Sequence, residues 1–171
     1  PEGVKKGKKE LFDYVNRTGG KLFVNTELIP LDEISSGMTR IEYGFDGKDF
    51  QLKIQSESQT LSYHYNSEST EQVVATNLAG AYNLYNIASA IVIGKYFGVE
   101  EESIHAAIQE YEPGNNRSQI ANTERNTLIM DAYNANPTST ENALISLAKQ
   151  DSANKFFILG DMLELGEHGP E

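Results

Sequence analysis

The 171-residue sequence contains no cysteine, which excludes several kinds of protein at once. Without cysteine there is no disulfide framework, no thiolate metal site and no cysteine nucleophile. Basic residues are also few, because 14 lysines and arginines stand against 25 acidic residues and give a formal net charge of −11 at pH 7. A chain this acidic argues against nucleic acid or an anionic membrane as the partner, although it leaves room for a local anion site.

Long apolar runs are missing as well. No run reaches the length that spans a bilayer, and no signal peptide is visible. We therefore expect a soluble cytoplasmic chain without membrane insertion. Because the sequence begins at Pro1 rather than at methionine and ends just after a predicted strand and loop, we also expect that both ends are cut from a longer protein.

The most informative stretch is residues 131–139, with the sequence DAYNANPTS. It follows an apolar run, residues 127–130, that is typical of a short buried strand, and it precedes a segment, residues 138–149, that predicts an amphipathic helix. Asn136 suits the N-cap of that helix, and the proline after it suits the first helical position. Ligands of open α/β sheets bind at the carboxyl ends of strands, so Asp131 is placed to accept hydrogen bonds from sugar hydroxyls. The alternative is a capped turn whose polar side chains satisfy only the backbone.

Elsewhere the patterns predict an α/β chain with a small antiparallel sheet between residues 39 and 74. Residues 28–35 look irregular, and both His64 and His105 are interpreted as surface residues. Residues 118–123 and 127–130 would form a hairpin or paired strands. A strand, helix and strand over residues 127–159 fit a right-handed parallel crossover. The other predicted strands are residues 21–25, 41–45, 50–54, 60–65, 72–74, 118–123 and 155–159, and the other predicted helices are residues 5–15, 78–93 and 101–111.

Three further polar residues stand out. Asn83 and Asn86 are three residues apart on one face of the apolar helix predicted over residues 78–93, which should be buried. An unpaired buried asparagine costs about 1–3 kcal/mol, so both need a partner, either a loop backbone or the heteroatoms of a ligand. Arg117 lies in a Pro-Gly-Asn-Asn break at residues 113–119, where its guanidinium could reach a phosphate or could simply face solvent. We place a domain boundary between residues 114 and 115.

Four segments together resemble the ATP-dependent Mur ligases of peptidoglycan synthesis. They are GAYNLYN at residues 80–86, NRSQ at 116–119, DAYNANPTS at 131–139 and LGDMLELG at 159–166, and they occur in the order of the family. The first half of the chain is similar less strongly, through residues 2–4 and 8–12. The resemblance is closest to the member that adds D-alanyl-D-alanine to UDP-N-acetylmuramoyl-tripeptide.

This resemblance implies a three-domain enzyme that activates a carboxylate with ATP and Mg²⁺ as an acyl phosphate, which the incoming amine then attacks. Residues 1–114 would be the later part of the central P-loop-type ATPase domain, including the small antiparallel sheet. Residues 115–171 would open a Rossmann-like C-terminal domain. The P-loop and the N-terminal domain would be missing, so the piece alone should be inactive. The expected partners are the two small-molecule substrates, and we expect a monomer.

The resemblance also assigns residues. Asn83 and Asn86 would lie near the adenine, Arg117 would reach the nucleotide across the domain hinge, and Asp131 would bind the ribose hydroxyls. Lys8 aligns with a carbamoylated lysine that would be a catalytic magnesium ligand. Tyr133, Asn134 and Asn136 would line the nucleotide or dipeptide site, and Tyr82 stands where the family usually has histidine.

Three alternatives stay open. The chain could come from another amide ligase of the superfamily, such as a folylpolyglutamate synthase, although the loops at residues 131–139 and 159–166 favour a Mur ligase. It could be a non-catalytic nucleotide-binding or interaction module, since a fold alone does not give a function. It could also be a structural α/β domain without a ligand.

Overall fold

Five helices and eight short strands form a mixed α/β chain in the computed structural model, which describes residues 2–44, 50–57, 60–67, 70–114, 116–162 and 165. The described residues of 1–53 and 84–106 form one compact unit, and those of 54–83 and 107–171 form a second. The elements are α1 (Glu2–Arg17), β1 (Leu22–Asn25), α2 (Ile29–Ile34), β2 (Arg40–Gly44), β3 (Phe50–Gln51), β4 (Lys53–Glu57), β5 (Leu61–Ser67), β6 (Thr70–Ala75), α3 (Asn83–Tyr96), α4 (Glu101–Glu110), β7 (Gln119–Asn122), β8 (Thr127–Met130) and α5 (Pro137–Lys149).

The first unit is built on a parallel sheet with the strand order β1-β2-β3. Leu22 pairs with Arg40 and Asn25 pairs with Tyr43. The antiparallel pairing predicted for the strand at residues 41–45 is therefore wrong. Alternating side chains indicate a strand, but they do not determine which strand it pairs with or in which direction. The irregular segment predicted at residues 28–35 is also wrong, since it contains α2, whose proline lies in the first turn where helices tolerate it.

Helix α3 begins five residues later than predicted. Gly80 has a φ of +85°, a left-handed conformation that ends any helical path from residue 78. Leu84, Ile87 and Ile91 are at most 2% exposed, whereas Asn86 is exposed. The helix therefore buries one apolar face rather than its whole circumference.

Helix α4 agrees with the predicted helix at residues 101–111, but the prediction of a surface His105 is wrong. The imidazole is only 4% exposed and its Nε2 lies 3.8 Å from Glu101 Oε1, which also contacts Lys95. Ile104 packs so closely on Gly94 that a Cβ there would lie 2.9 Å from its Cδ1. His105 is thus buried on the packed side of α4 together with Ile104.

The second unit contains the predicted antiparallel pairing of β5 with β6, in which Tyr63 pairs with Val74. Leu61 and Tyr63 are fully buried, and the Leu61 N–H donates to the Leu78 carbonyl at 2.8 Å. His64 on β5 is half-buried and contacts Gln55. Residues 45–49, within the region of the predicted antiparallel sheet, and residues 163–164 and 166 of the LGDMLELG loop lie outside the described residues.

Strands β7 and β8 form the predicted antiparallel pair, but the expectation of a buried β8 is wrong because Leu128 is 44% exposed. The strand predicted at residues 155–159, and with it the parallel crossover over residues 127–159, is also wrong, since that run pairs with no strand among the described residues and Ile158 is 99% exposed. A strand gains its stability from pairing, and within the described residues β8 pairs only with β7. Among the described helices, none combines the length and apolar character needed to span a membrane.

Candidate functional site

Two loops of the second unit are joined by backbone hydrogen bonds. We call residues 116–118 the hinge loop and residues 131–136 the Asp131 loop. The Asn116 carbonyl accepts from the N–H groups of Ala132 and Tyr133, at 2.9 and 3.0 Å. The Ser118 N–H donates to Asp131 Oδ1 at 3.2 Å. The site residues predicted on these two loops are thereby brought to one place.

The hinge loop has an unusual backbone. Asn116 and Ser118 have φ values of +55° and +50°, in the left-handed region that side chains other than asparagine and aspartate seldom enter. For Ser118 this conformation costs about 1–2 kcal/mol, so surrounding contacts must hold it. The bonds to Asp131, Ala132 and Tyr133 are contacts of this kind.

Arg117 stacks on Tyr133, with its Cζ 4.0 Å from the ring centroid. Both side chains are exposed. The N–H donors of a guanidinium lie in its plane, so a guanidinium that stacks on an aromatic ring can still pair through them with two oxygens of one phosphate. Cation–π contacts of this kind also occur at ordinary surface arginines, so the phosphate-binding role of Arg117 stays a prediction.

Tyr82 reaches the same loops from the segment before α3. Its Oη lies 2.6 Å from Ser118 Oγ, and Ser118 is only 5% exposed. Burial raises the pKa of the Tyr82 phenol and the nearby Asp131 charge raises it further, while the bond to Ser118 lowers it. The phenol is therefore protonated at neutral pH. In the sequence, Tyr82 stands out only because the similar family usually has histidine at this position. No local pattern links it to Ser118, which lies 36 positions further along the chain.

The two asparagines of α3 have different environments. Asn83 is 7% exposed, and its Nδ2 donates to the Ala79 carbonyl at 2.7 Å. This is the loop-backbone partner that the sequence left as one of two alternatives. Asn86 is exposed, and its carbonyl accepts from Ser89 Oγ at 2.8 Å. The expectation that both asparagines are buried is thus correct only for Asn83.

The predicted N-cap of α5 is confirmed. Asn136 Oδ1 accepts from the Ser139 N–H at 2.9 Å, and the Asn136 N–H donates to Ser139 Oγ at 3.2 Å, which makes a reciprocal capping box. The Asn136 side chain therefore serves the helix. Asn134 is exposed in the same loop, and its proposed role stays a prediction because no contact with another described residue assigns it one.

Lys8 is exposed on α1 in the first unit. Its neighbours form ion pairs, Lys5 with Glu33 and Lys9 with Asp13, each at 2.7 Å. The part of the chain that the structure describes contains no group of three or more histidine, aspartate or glutamate side chains that could hold a metal ion. The metal-binding role of Lys8 therefore stays a prediction.

Comparison with known proteins extends the argument from these loops to the whole chain. Residues 116–170 match the family model described as Mur ligase, glutamate ligase domain, a range that begins at the hinge loop. The UDP-N-acetylmuramoyl-tripeptide–D-alanyl-D-alanine ligase of Bacillus subtilis is 28% identical over 168 residues, which are 97% of this chain and 36% of the relative. The chain is similar in sequence to these Mur ligases. The resemblance drawn from its four motifs is confirmed.

Solved Mur ligase structures share the fold. The crystal structure of MurF from Acinetobacter baumannii superposes with a TM-score of 0.72 at 22% identity, covering 88% of this chain and 34% of that one. The MurF ligase of Thermotoga maritima in complex with ADP gives 0.62 at 15% identity, covering 75% of this chain and 30% of that one. The mixed α/β fold class is confirmed. The chain spans about a third of the length of these relatives, and the boundary between residues 114 and 115 stays a prediction.

Proposed function

We propose that the intact protein carrying this chain is an ATP-dependent amide ligase that joins D-alanyl-D-alanine to UDP-N-acetylmuramoyl-tripeptide. The peptide carboxylate takes the γ-phosphoryl group of ATP and becomes an acyl phosphate, with ADP as the leaving group. The amine of the dipeptide then attacks the acyl carbon, loses a proton and displaces phosphate. The observation that carries this proposal is the joining of the hinge loop to the Asp131 loop, in a chain that aligns over 97% of its length with such a ligase.

Asp131 is suited to hold the ribose. One carboxylate oxygen accepts the Ser118 N–H and is thereby oriented, which leaves about three of the roughly four lone-pair sites of a carboxylate for further donors. The residue is exposed, so hydroxyl groups of a nucleotide can reach it. A fixed acceptor lowers the entropy lost on binding, which is how positioning groups assist a transfer reaction.

Arg117 supplies positive charge next to this acceptor. Stacking on Tyr133 restricts the guanidinium, and a restricted guanidinium can neutralise phosphate charge without first being ordered. Asn86 is proposed to meet the adenine edge. Tyr133 and Asn134 are proposed to line the nucleotide or dipeptide site, and Asn136 supports them through the cap of α5.

Mg²⁺ belongs to the proposal through the family resemblance. Within the described ranges, no cluster of acidic or imidazole side chains fits the ion, and Lys8 would serve only if carbamoylated. The residues of this chain are therefore proposed to orient the nucleotide, and no step of the reaction is assigned to a metal ion held by them. We further propose that the partners are the two small-molecule substrates and that the protein is a monomer.

The test is phosphate release from ATP by the intact protein, with the muramoyl tripeptide and D-alanyl-D-alanine both present and each omitted in turn. We expect release only when both are present. Asp131→Ala should raise KM for ATP by about 10-fold or more, the equivalent of a lost charged hydrogen bond, while the exposed control Asp151→Ala should not. Release with glutamate and a folate in place of these substrates would instead identify a folylpolyglutamate synthase. No release from a folded protein under any condition would refute the proposal.

A further inference from the structure

We propose that Tyr82 is a positioning residue of the nucleotide site, which acts through Ser118 to fix the hinge loop and, with it, Asp131 and Arg117. This inference rests on the proposed function and adds a residue to that site. It starts from the contact between the side chains of Tyr82 and Ser118, which are 36 positions apart, because Ser118 in turn contacts Asp131.

The ring of Tyr82 lies against the backbone of its own loop at Gly80. Gly80 has a φ of +85°, and a Cβ at that position would overlap the Tyr82 ring, so only glycine allows the ring to lie against this backbone. The Gly80 carbonyl accepts the Asn83 N–H at 3.1 Å, which starts α3 immediately after the tyrosine. The phenol is therefore presented from a hydrogen-bonded turn immediately before α3.

Ser118 links the phenol to the carboxylate. Its Oγ lies 2.6 Å from Tyr82 Oη, while its backbone N–H donates to Asp131 Oδ1 at 3.2 Å. The residue is 5% exposed and has a φ of +50°. Because this backbone conformation is disfavoured for serine, the bond from the side chain to the phenol helps to keep the N–H aimed at Asp131.

Loss of the phenol oxygen should therefore act at a distance. Without it, the hinge loop can leave its strained conformation more easily, and the Ser118 N–H is held less firmly against the Asp131 carboxylate. Arg117 lies between Asn116 and Ser118, so the stacking on Tyr133 depends on the same loop. The predicted effect is weaker nucleotide binding, although Tyr82 need not touch the nucleotide.

The experiment uses the intact protein and four variants: Tyr82→Phe, Ser118→Ala, the double variant and Tyr111→Phe. Tyr111 is 55% exposed and serves as the matched control for loss of a phenol oxygen. KM for ATP and kcat are measured by phosphate release, and Kd is measured with a fluorescent ADP. Each single variant should raise KM and Kd by about 2- to 12-fold, the range of one net hydrogen bond, with kcat changed less than KM.

The double variant should be no worse than the poorer single variant, because both changes break one link. Wild-type KM and Kd in Tyr82→Phe would overturn the proposal, as would effects in the double variant that multiply. A fall in kcat and thermal stability without a change in KM would also overturn it, since that is the signature of a merely structural residue.

The two proposals fail in distinguishable ways. If the wild type binds the fluorescent ADP but releases no phosphate with both substrates, the ligase proposal fails and the link between Tyr82 and Ser118 is judged from Kd alone. If the ligase is active and the variants match wild type, only the inference about Tyr82 fails. If the wild type binds no nucleotide, both are refuted.

Discussion

Replacing each asparagine at the start of α3 by alanine should separate a structural residue from a ligand-binding one. Asn83 is 7% exposed and donates to the carbonyl of Ala79, which is itself 2% exposed. Asn83→Ala removes the donor from a buried acceptor, and a buried group left without its partner costs about 1–3 kcal/mol. We therefore expect the free energy of unfolding to fall by about that amount.

Asn86→Ala is the matched variant, because it makes the same chemical change three residues further along the helix. Asn86 is exposed, so water can satisfy the groups that its amide contacts once the side chain is removed, and the Ser89 hydroxyl keeps the backbone carbonyl to which it donates. The free energy of unfolding should change by no more than about 0.5 kcal/mol. If the side chain meets the adenine edge, the Kd for ADP should rise by about 2- to 12-fold.

Urea denaturation followed by circular dichroism measures the first quantity, and titration with a fluorescent ADP measures the second. A change in the denaturation midpoint at constant slope reports stability alone. An unchanged midpoint in Asn83→Ala would refute the structural role of its amide. An unchanged Kd in Asn86→Ala would refute the proposed adenine contact.

Three further variants test the scaffold. Burial lowers the pKa of His105 despite the Glu101 charge, so the unfolded chain binds a proton at this residue more tightly than the folded chain does. The free energy of unfolding should therefore fall as pH drops below about 6.5. In denaturation curves, His105→Gln should make the free energy of unfolding less dependent on pH in this range. Gly44→Ala places a Cβ 2.7 Å from Glu27 Oε1 at a φ of +145°, and should cost about 1–3 kcal/mol of unfolding free energy. Asn136→Ala removes the cap of α5 and should cost about 1 kcal/mol, whereas an unchanged midpoint would contradict the capping role.

Elements whose determinants are close in sequence could be predicted from the sequence. Helix α5 begins at Pro137, as expected, because its cap involves only Asn136 and Ser139. The pairing of β7 with β8 also followed from two short runs separated by a few residues. In such cases the interactions that decide the structure all lie within one short window of the chain.

Elements that depend on distant partners could not be predicted in this way. The alternation at residues 41–45 indicated a strand, but the parallel direction of its pairing with β1 and β3 is decided by packing. The apolar run at residues 155–159 has the composition of a buried strand, yet it lies exposed because composition does not provide a pairing partner.

The candidate site shows the same division. Arg117 and Asp131 could be proposed from residue type and motif order, and the structure brings their loops together. Their roles toward a nucleotide stay predictions. The contact between Tyr82 and Ser118 had no signal in the sequence, because a link across 36 residues exists only after the chain has folded.

The contrast between Asn83 and Asn86 shows what a spacing of three residues can establish. Such spacing places two side chains on one helix face, but their depth depends on where the helix begins. Because the left-handed Gly80 delays the start of α3, the preceding loop brings the Ala79 carbonyl within reach of Asn83. A loss of activity in Asn83→Ala would therefore not by itself indicate an adenine contact. Only reduced affinity at unchanged stability, as expected for Asn86→Ala, identifies the residue that meets the ligand.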